Sequence, residues 1–90
     1  MLLATTTVAD FDRFLKVFST SGADKRRKHG SKGSLVFRDP NQPDRVWAIF
    51  DWDEQGWQNF VSDPEVPPII KEAGHTSKPQ ALPLAARCDA

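Results

Sequence analysis

Ninety residues make one domain, and a chain this short buries only about 60–65% of its extended surface when alone, so pairing with a second copy is a useful source of stability. The 12 basic and 12 acidic side chains cancel, which removes any global field for nucleic acid or an anionic membrane and leaves only local patches for such partners. A single cysteine, Cys88, excludes an internal disulfide framework; with no apolar run near the roughly 20 residues of a membrane span and no basic, apolar secretory start, a reducing cytoplasm is the expected compartment.

Read in chain order, the sequence predicts six elements, βαββαβ. Leu2 to Val8 places apolar residues around three threonines and reads as a strand. Asp10 is positioned to cap a helix in which Phe11, Phe14, Leu15 and Phe18 recur at i, i+3, i+4 and i+7. Ser19-Thr20-Ser21-Gly22 weakens that pattern and predicts a break, after which a basic turn from Ala23 to His29 ends at Gly30, suited to a left-handed cap. Ser34 to Arg38 is a second strand. The Asp39-Pro40-Asn41-Gln42-Pro43-Asp44 turn should join it as a hairpin to the third.

The stretch from Arg45 to Trp57 carries the most information. An aromatic, β-branched strand from Val46 to Trp52 runs directly into a helix capped by Asp53, and Trp52 is spaced to meet Trp57 as a hydrophobic staple. If Trp52 faces the helices, the two-residue period sends Val46, Ala48 and Phe50 the same way and Trp47, Ile49 and Asp51 to the opposite face. A single small domain has helices for only one side of such a strand, so the other side should meet a second copy of the chain or enclose a ligand. Asp63-Pro64-Glu65 starts a further helix, which Pro67-Pro68 should make short or irregular before Ile69, Ile70 and a Gly74 cap. Gln80 to Arg87 is apolar enough for a last strand, and Pro83 confines it to an edge, a bulge or an interface.

This element order resembles the dimeric α+β barrel superfamily, and in particular its antibiotic-biosynthesis-monooxygenase-like members. The matching stretches are Phe50-Asp51-Trp52-Asp53, Ser62-Asp63-Pro64-Glu65 and Glu72-Ala73-Gly74. The resemblance implies a ferredoxin-like α+β subunit with an antiparallel sheet that pairs face to face with its copy. It also implies a cavity used for cofactor-free oxygenation, cyclisation or isomerisation of small organic molecules. The chain departs from the monooxygenase pattern in having no tyrosine and no strand asparagine. Thr5-Thr6-Thr7 and the loop position of His75 do not match the strand-one Asn and helical His expected of the haem-degrading branch. No cofactor is expected.

Candidates for chemistry each carry two readings. Asp51, the carboxylate in a strongly apolar strand, is either a cavity acid needing a cationic partner or a residue bonding the first turn of the next helix. His29 is either a general acid or base, or a basic group placed at a helix end by the macrodipole. His75, after the Gly74 cap, either reaches a cavity mouth or sits on an exposed loop. Trp47 and Ile49 are the expected substrate-contacting residues. Lys25 to Lys28 does not make a nucleic-acid face, because four consecutive helical residues sweep about 300° around the axis. Asp51 and Asp53 lack His or Cys at ligand spacing, so no metal site is defined, and Cys88 lacks a neighbouring histidine. Two functional classes follow: a cofactor-free enzyme of monooxygenase, cyclase or isomerase type, or a non-catalytic homodimeric module that binds a ligand or a partner.

Overall fold

The computed structural model describes all 90 residues, Met1–Ala90. Four strands, β1 (Leu2–Thr7), β2 (Ser34–Arg38), β3 (Arg45–Phe50) and β4 (Gln80–Pro83), form one antiparallel sheet in the order β2-β3-β1-β4. Helices α1 (Phe11–Val17), α2 (Ala23–Lys28), α3 (Glu54–Val61) and α4 (Val66–Glu72) cover one face of it. This is the ferredoxin-like α+β arrangement, with β3 and the N-terminal β1 as the two central strands.

Strand alternation decides the layers. Leu2, Ala4 and Thr6 of β1 and Val46, Ala48 and Phe50 of β3 are all buried under the helices, as the register Leu2 to Phe50, Ala4 to Ala48 and Thr6 to Val46 requires. Trp52 continues this parity and is buried. Its indole meets Trp57 edge to face at 5.9 Å, which is the expected staple. Asp53 caps α3 by accepting from the Gly56 amide at 2.6 Å. The core is an aromatic chain running from Phe14 through Phe18 and Phe50 to Trp52 and Phe60.

Several boundaries differ from the sequence reading. The predicted break at residues 19–22 is instead a π turn, Phe18–Gly22, with helical dihedrals on both sides, so the helical path continues from α1 into α2. The Thr20 side chain bonds back to the helix rather than ending it, donating to the Lys16 carbonyl at 2.7 Å. Leu15 is exposed, and Val17 takes the buried position beside Phe14. Helix α4 is regular despite Pro67 and Pro68, because both lie in its first turn, where backbone amides have no helical partner to lose. Asp63 does not cap it directly; it forms a turn, accepting from the Glu65 amide at 2.8 Å, and the helix begins at Val66. Gly30 and Gly74 adopt φ of 94° and 78°, the left-handed conformation that terminates α2 and α4. Strand β4 ends at Pro83 on the sheet edge; the Leu84 amide still donates to the Met1 carbonyl at 2.9 Å, and 85–87 lie outside the ladder. Val8 drops out of β1 and forms an isolated bridge with His75.

Candidate active site beneath the helices

Across the middle of the sheet, Ala81, Ala4, Ala48 and Val36 stand side by side on the four strands and face the helices. Small side chains there leave a gap under large ones. The result is an apolar cavity of about 60 Å³ with Thr6, Phe14, Phe18, Arg26, Trp57 and His75 in its wall. A cavity of about 150 Å³ is needed to hold a benzene ring, so this one admits a functional group rather than a whole aromatic molecule. It shares Trp57, Phe60, Ile70, His75 and Pro79 with a larger groove of about 440 Å³ between α3, α4 and the segment before β4. The groove has room for the body of a small organic ligand.

His75 is held at this junction by both neighbours in sequence and partners across the sheet. Gly74 turns the chain out of α4, and the bridge to Val8 fixes the backbone beside β1. The ring packs edge-on against Phe14 at 5.6 Å, and Nδ1 lies 3.1 Å from Thr6 Oγ1. Thr6 Oγ1 also lies 3.1 Å from the Ser77 carbonyl, which can only accept. The single hydroxyl proton is therefore best used on that carbonyl, so that Thr6 accepts from Nδ1–H and Nε2 is left as the basic nitrogen. Burial lowers the His75 pKa below its ordinary value. At neutral pH the imidazole is uncharged and able to take a proton.

Arg26 is a site residue that the sequence reading missed. It was visible only as one of four consecutive basic residues. In the structure it is 7% exposed, with its guanidinium 3.7 Å over the Phe18 ring and Nη2 donating to the Phe18 carbonyl at 2.9 Å. That carbonyl belongs to the π turn, and Gly22 in the same turn gives the side chain room: a methyl group there would lie 3.1 Å from Arg26 Nη1. No carboxylate pairs with Arg26. Desolvation, with a smaller contribution from Arg27, lowers its pKa to about 10, so it remains a cation at neutral pH in an apolar wall.

The other expected site residues are not brought to this cavity. Trp47, Ile49 and Asp51 occupy the opposite side of the sheet, as their odd-numbered parity demands. Trp47 donates its indole N–H to Asp39 at 2.8 Å, tying the β2–β3 turn to the sheet, and that bond lowers the Asp39 pKa. Asp51 is exposed; its backbone pairs with Lys32 and Gly33, and Asp53 rather than Asp51 caps α3. In the single chain Asp51 therefore lies just past the end of β3 with its side chain exposed, on the side of the sheet away from the helices.

His29 sits at the C-terminus of α2 with Nε2 2.9 Å from Asp63 Oδ2, an oxygen that also receives Lys25 at 3.1 Å. His29 first, then the Glu65 amide and Lys25, hold the Asp63 carboxyl well below the usual carboxylate range. His29 thus clamps α2 to the α3–α4 turn and lies outside the cavity wall. Cys88 is exposed in the C-terminal segment. No three His, Cys, Asp or Glu side chains converge at metal-binding distance, and no helix is long and apolar enough to cross a membrane.

No protein-family model matches the chain, and no curated protein matches it. Solved structures do. SnoaB of Streptomyces nogalater, a cofactor-independent oxygenase, superposes with a TM-score of 0.70 at 19% identity, over 96% of this chain and 92% of that one. An antibiotic biosynthesis monooxygenase gives a TM-score of 0.66 at 14% identity, with 97% of each chain covered. A conserved protein from Methanosarcina mazei Go1 gives 0.63 at 12% identity, over 90% of this chain and 85% of that one. The chain therefore has the ferredoxin-like α+β fold of the antibiotic-biosynthesis-monooxygenase-like structures.

Proposed function

We propose that the protein is a homodimeric, cofactor-free enzyme that takes a small conjugated organic molecule beneath its helices and removes a proton from it with His75. The observation that carries this reading is the His75–Thr6–Ser77 arrangement, which orients an uncharged imidazole at the join of an apolar cavity and a ligand-sized groove. Abstraction of an acidic C–H proton by Nε2 leaves the electron pair on the ligand as an enolate or carbanion. Return of the proton at another carbon would be isomerisation and attack on an internal carbonyl cyclisation; addition of dioxygen at a carbon still bearing hydrogen would give a hydroperoxide whose loss of water leaves one oxygen atom there as a ketone, which is monooxygenation. The fold shared with a cofactor-independent oxygenase supports this class of chemistry.

The dimer follows from the uncovered side of the sheet. Leu3, Leu35, Phe37, Trp47, Ile49 and Leu82 share that face by register, and Leu35 and Leu82 are 63% and 64% exposed. A two-fold pairing of this patch with itself would cover it and would place Asp51 at the rim. The small volume of the cavity, about 60 Å³, favours as second reading a module that binds without turnover.

Solvent exchange at the acidic carbon of bicyclic ketones such as 2-tetralone, followed by proton NMR in deuterated water, separates the two. The enzyme reading expects accelerated exchange that is lost in His75→Gln. It also expects a rate that rises with pH through the lowered His75 pKa and is flat near neutrality. Binding without exchange selects the module, and exchange unaffected in His75→Gln refutes the role given to that residue.

A further inference from the structure

We infer that Arg26 is an anion-recognising residue, and that the ligand carries an acidic oxygen, as carboxylate, phenolate or enolate, which enters the cavity against its guanidinium. This rests on the cavity being the ligand site. A buried cation normally has a carboxylate partner, because removing a charge from water without compensation is costly. Elsewhere this chain follows that rule: Lys25 is paired with Asp63 and Glu65 at 3.1 and 3.3 Å. Arg26 is more than nine-tenths buried and has none. One of its five N–H groups is used, on the Phe18 carbonyl.

The remaining donors are not sealed away, since no buried side-chain nitrogen lacks a partner. Nε and Nη1, which make no hydrogen bond within the protein, therefore keep some contact with accessible space, and Arg26 is part of the cavity wall. The rings of Phe18 and Phe50 lie 3.7 and 5.6 Å from the guanidinium carbon, and both rings line the cavity together with Arg26. An apolar pocket with one uncompensated guanidinium is matched by an apolar molecule with one anionic oxygen, and a planar fork of donors suits a carboxylate or enolate best.

The cavity's volume agrees with this. It takes a head group, while rings of the ligand would lie in the groove along Trp57, Phe60 and Ile70. A ligand so placed has its acidic oxygen toward α2 and its body beside His75. Any negative charge developing on that oxygen as His75 takes a proton would be met by Arg26.

Matched probes test the assignment. Binding of 2-naphthoate and of its neutral isostere 2-naphthamide to the full chain is measured by titration calorimetry, with Ala48→Leu as a variant that fills the cavity floor. The wild-type protein is expected to prefer naphthoate by about tenfold or more, the size of one charge-assisted hydrogen bond. Arg26→Met should bring the ratio to about one without weakening naphthamide, and Arg26→Lys should restore part of it. Ala48→Leu should abolish both. Equal wild-type affinities, or a preference that survives in Arg26→Met, overturns the role of Arg26 while leaving the cavity as the site. Binding of neither probe, or binding untouched by Ala48→Leu, overturns the cavity reading itself. The wild-type ratio needs no variant, so it stands even if Arg26→Met folds poorly.

Discussion

Gly56→Ala provides a sign-definite test of how α3 is seated on the sheet. Helix propensity alone says that alanine should stabilise an interior helical position by about 1 kcal/mol relative to glycine. The structure reverses this. A methyl group at Gly56 would overlap the indole Nε1 of Trp52 and lie 2.7 Å from both Trp52 Cδ1 and the His29 carbonyl. These are the two ends of the hydrogen bond that joins Trp52 to the end of α2, 2.9 Å long. Both are constrained: the indole is buried among Phe50, Trp57 and Phe60, and His29 is anchored to Asp63.

Overpacking of this kind costs about 1–3 kcal/mol, and a buried indole N–H left without its acceptor costs about 1–3 kcal/mol more. Set against the propensity gain of about 1 kcal/mol, the net expectation is a loss of about 3 kcal/mol. For a domain of this size that lowers Tm by more than about 10 °C. Urea unfolding followed by tryptophan fluorescence reads it directly. A midpoint equal to or above wild type would mean that α3 can slide away from Trp52 at no cost, and the tight packing of Gly56 on the staple would be refuted.

Two further outcomes follow from the charged clamp and the open sheet. Asp63 has a folded-state pKa depressed below the unfolded carboxylate value of about 3.9, so its stabilising contribution is complete above that value and is lost as pH falls below it. Urea midpoints measured from pH 7 down to 2 should therefore fall more steeply in wild type than in Asp63→Asn, which should also be less stable at pH 7; parallel curves would show that the clamp contributes nothing. Phe37→Glu places a charge in the exposed apolar face without touching the helix-side core. Light scattering should show a dimer for wild type and a monomer for the variant, and a wild-type monomer at micromolar concentration would remove the two-fold pairing.

Features that depend on near neighbours were legible in the chain before it folded. The Asp10 and Asp53 caps, the Gly30 and Gly74 terminators and the Trp52–Trp57 staple are interactions within a few residues, and each formed where its spacing put it. The parity of β3 was legible too. Alternation is a local property of an extended chain, so one buried tryptophan was enough to assign Val46, Ala48 and Phe50 to one face and Trp47 and Ile49 to the other.

Where the space lies depends on contacts between distant segments. The cavity lies on the helix side because Ala4 and Ala48, far apart in sequence, face each other across β1 and β3 and both line it, a register that no single strand reveals. The His75 ring is oriented by Thr6, 69 residues away. Arg26 is separated from its equally basic neighbours by helical rotation and by a π turn that opens the carbonyl of Phe18 to it. Composition shows a basic run; one residue of it turns inward because 100° per residue puts one of four side chains toward the sheet, and the chain must fold before that side chain has anything to face.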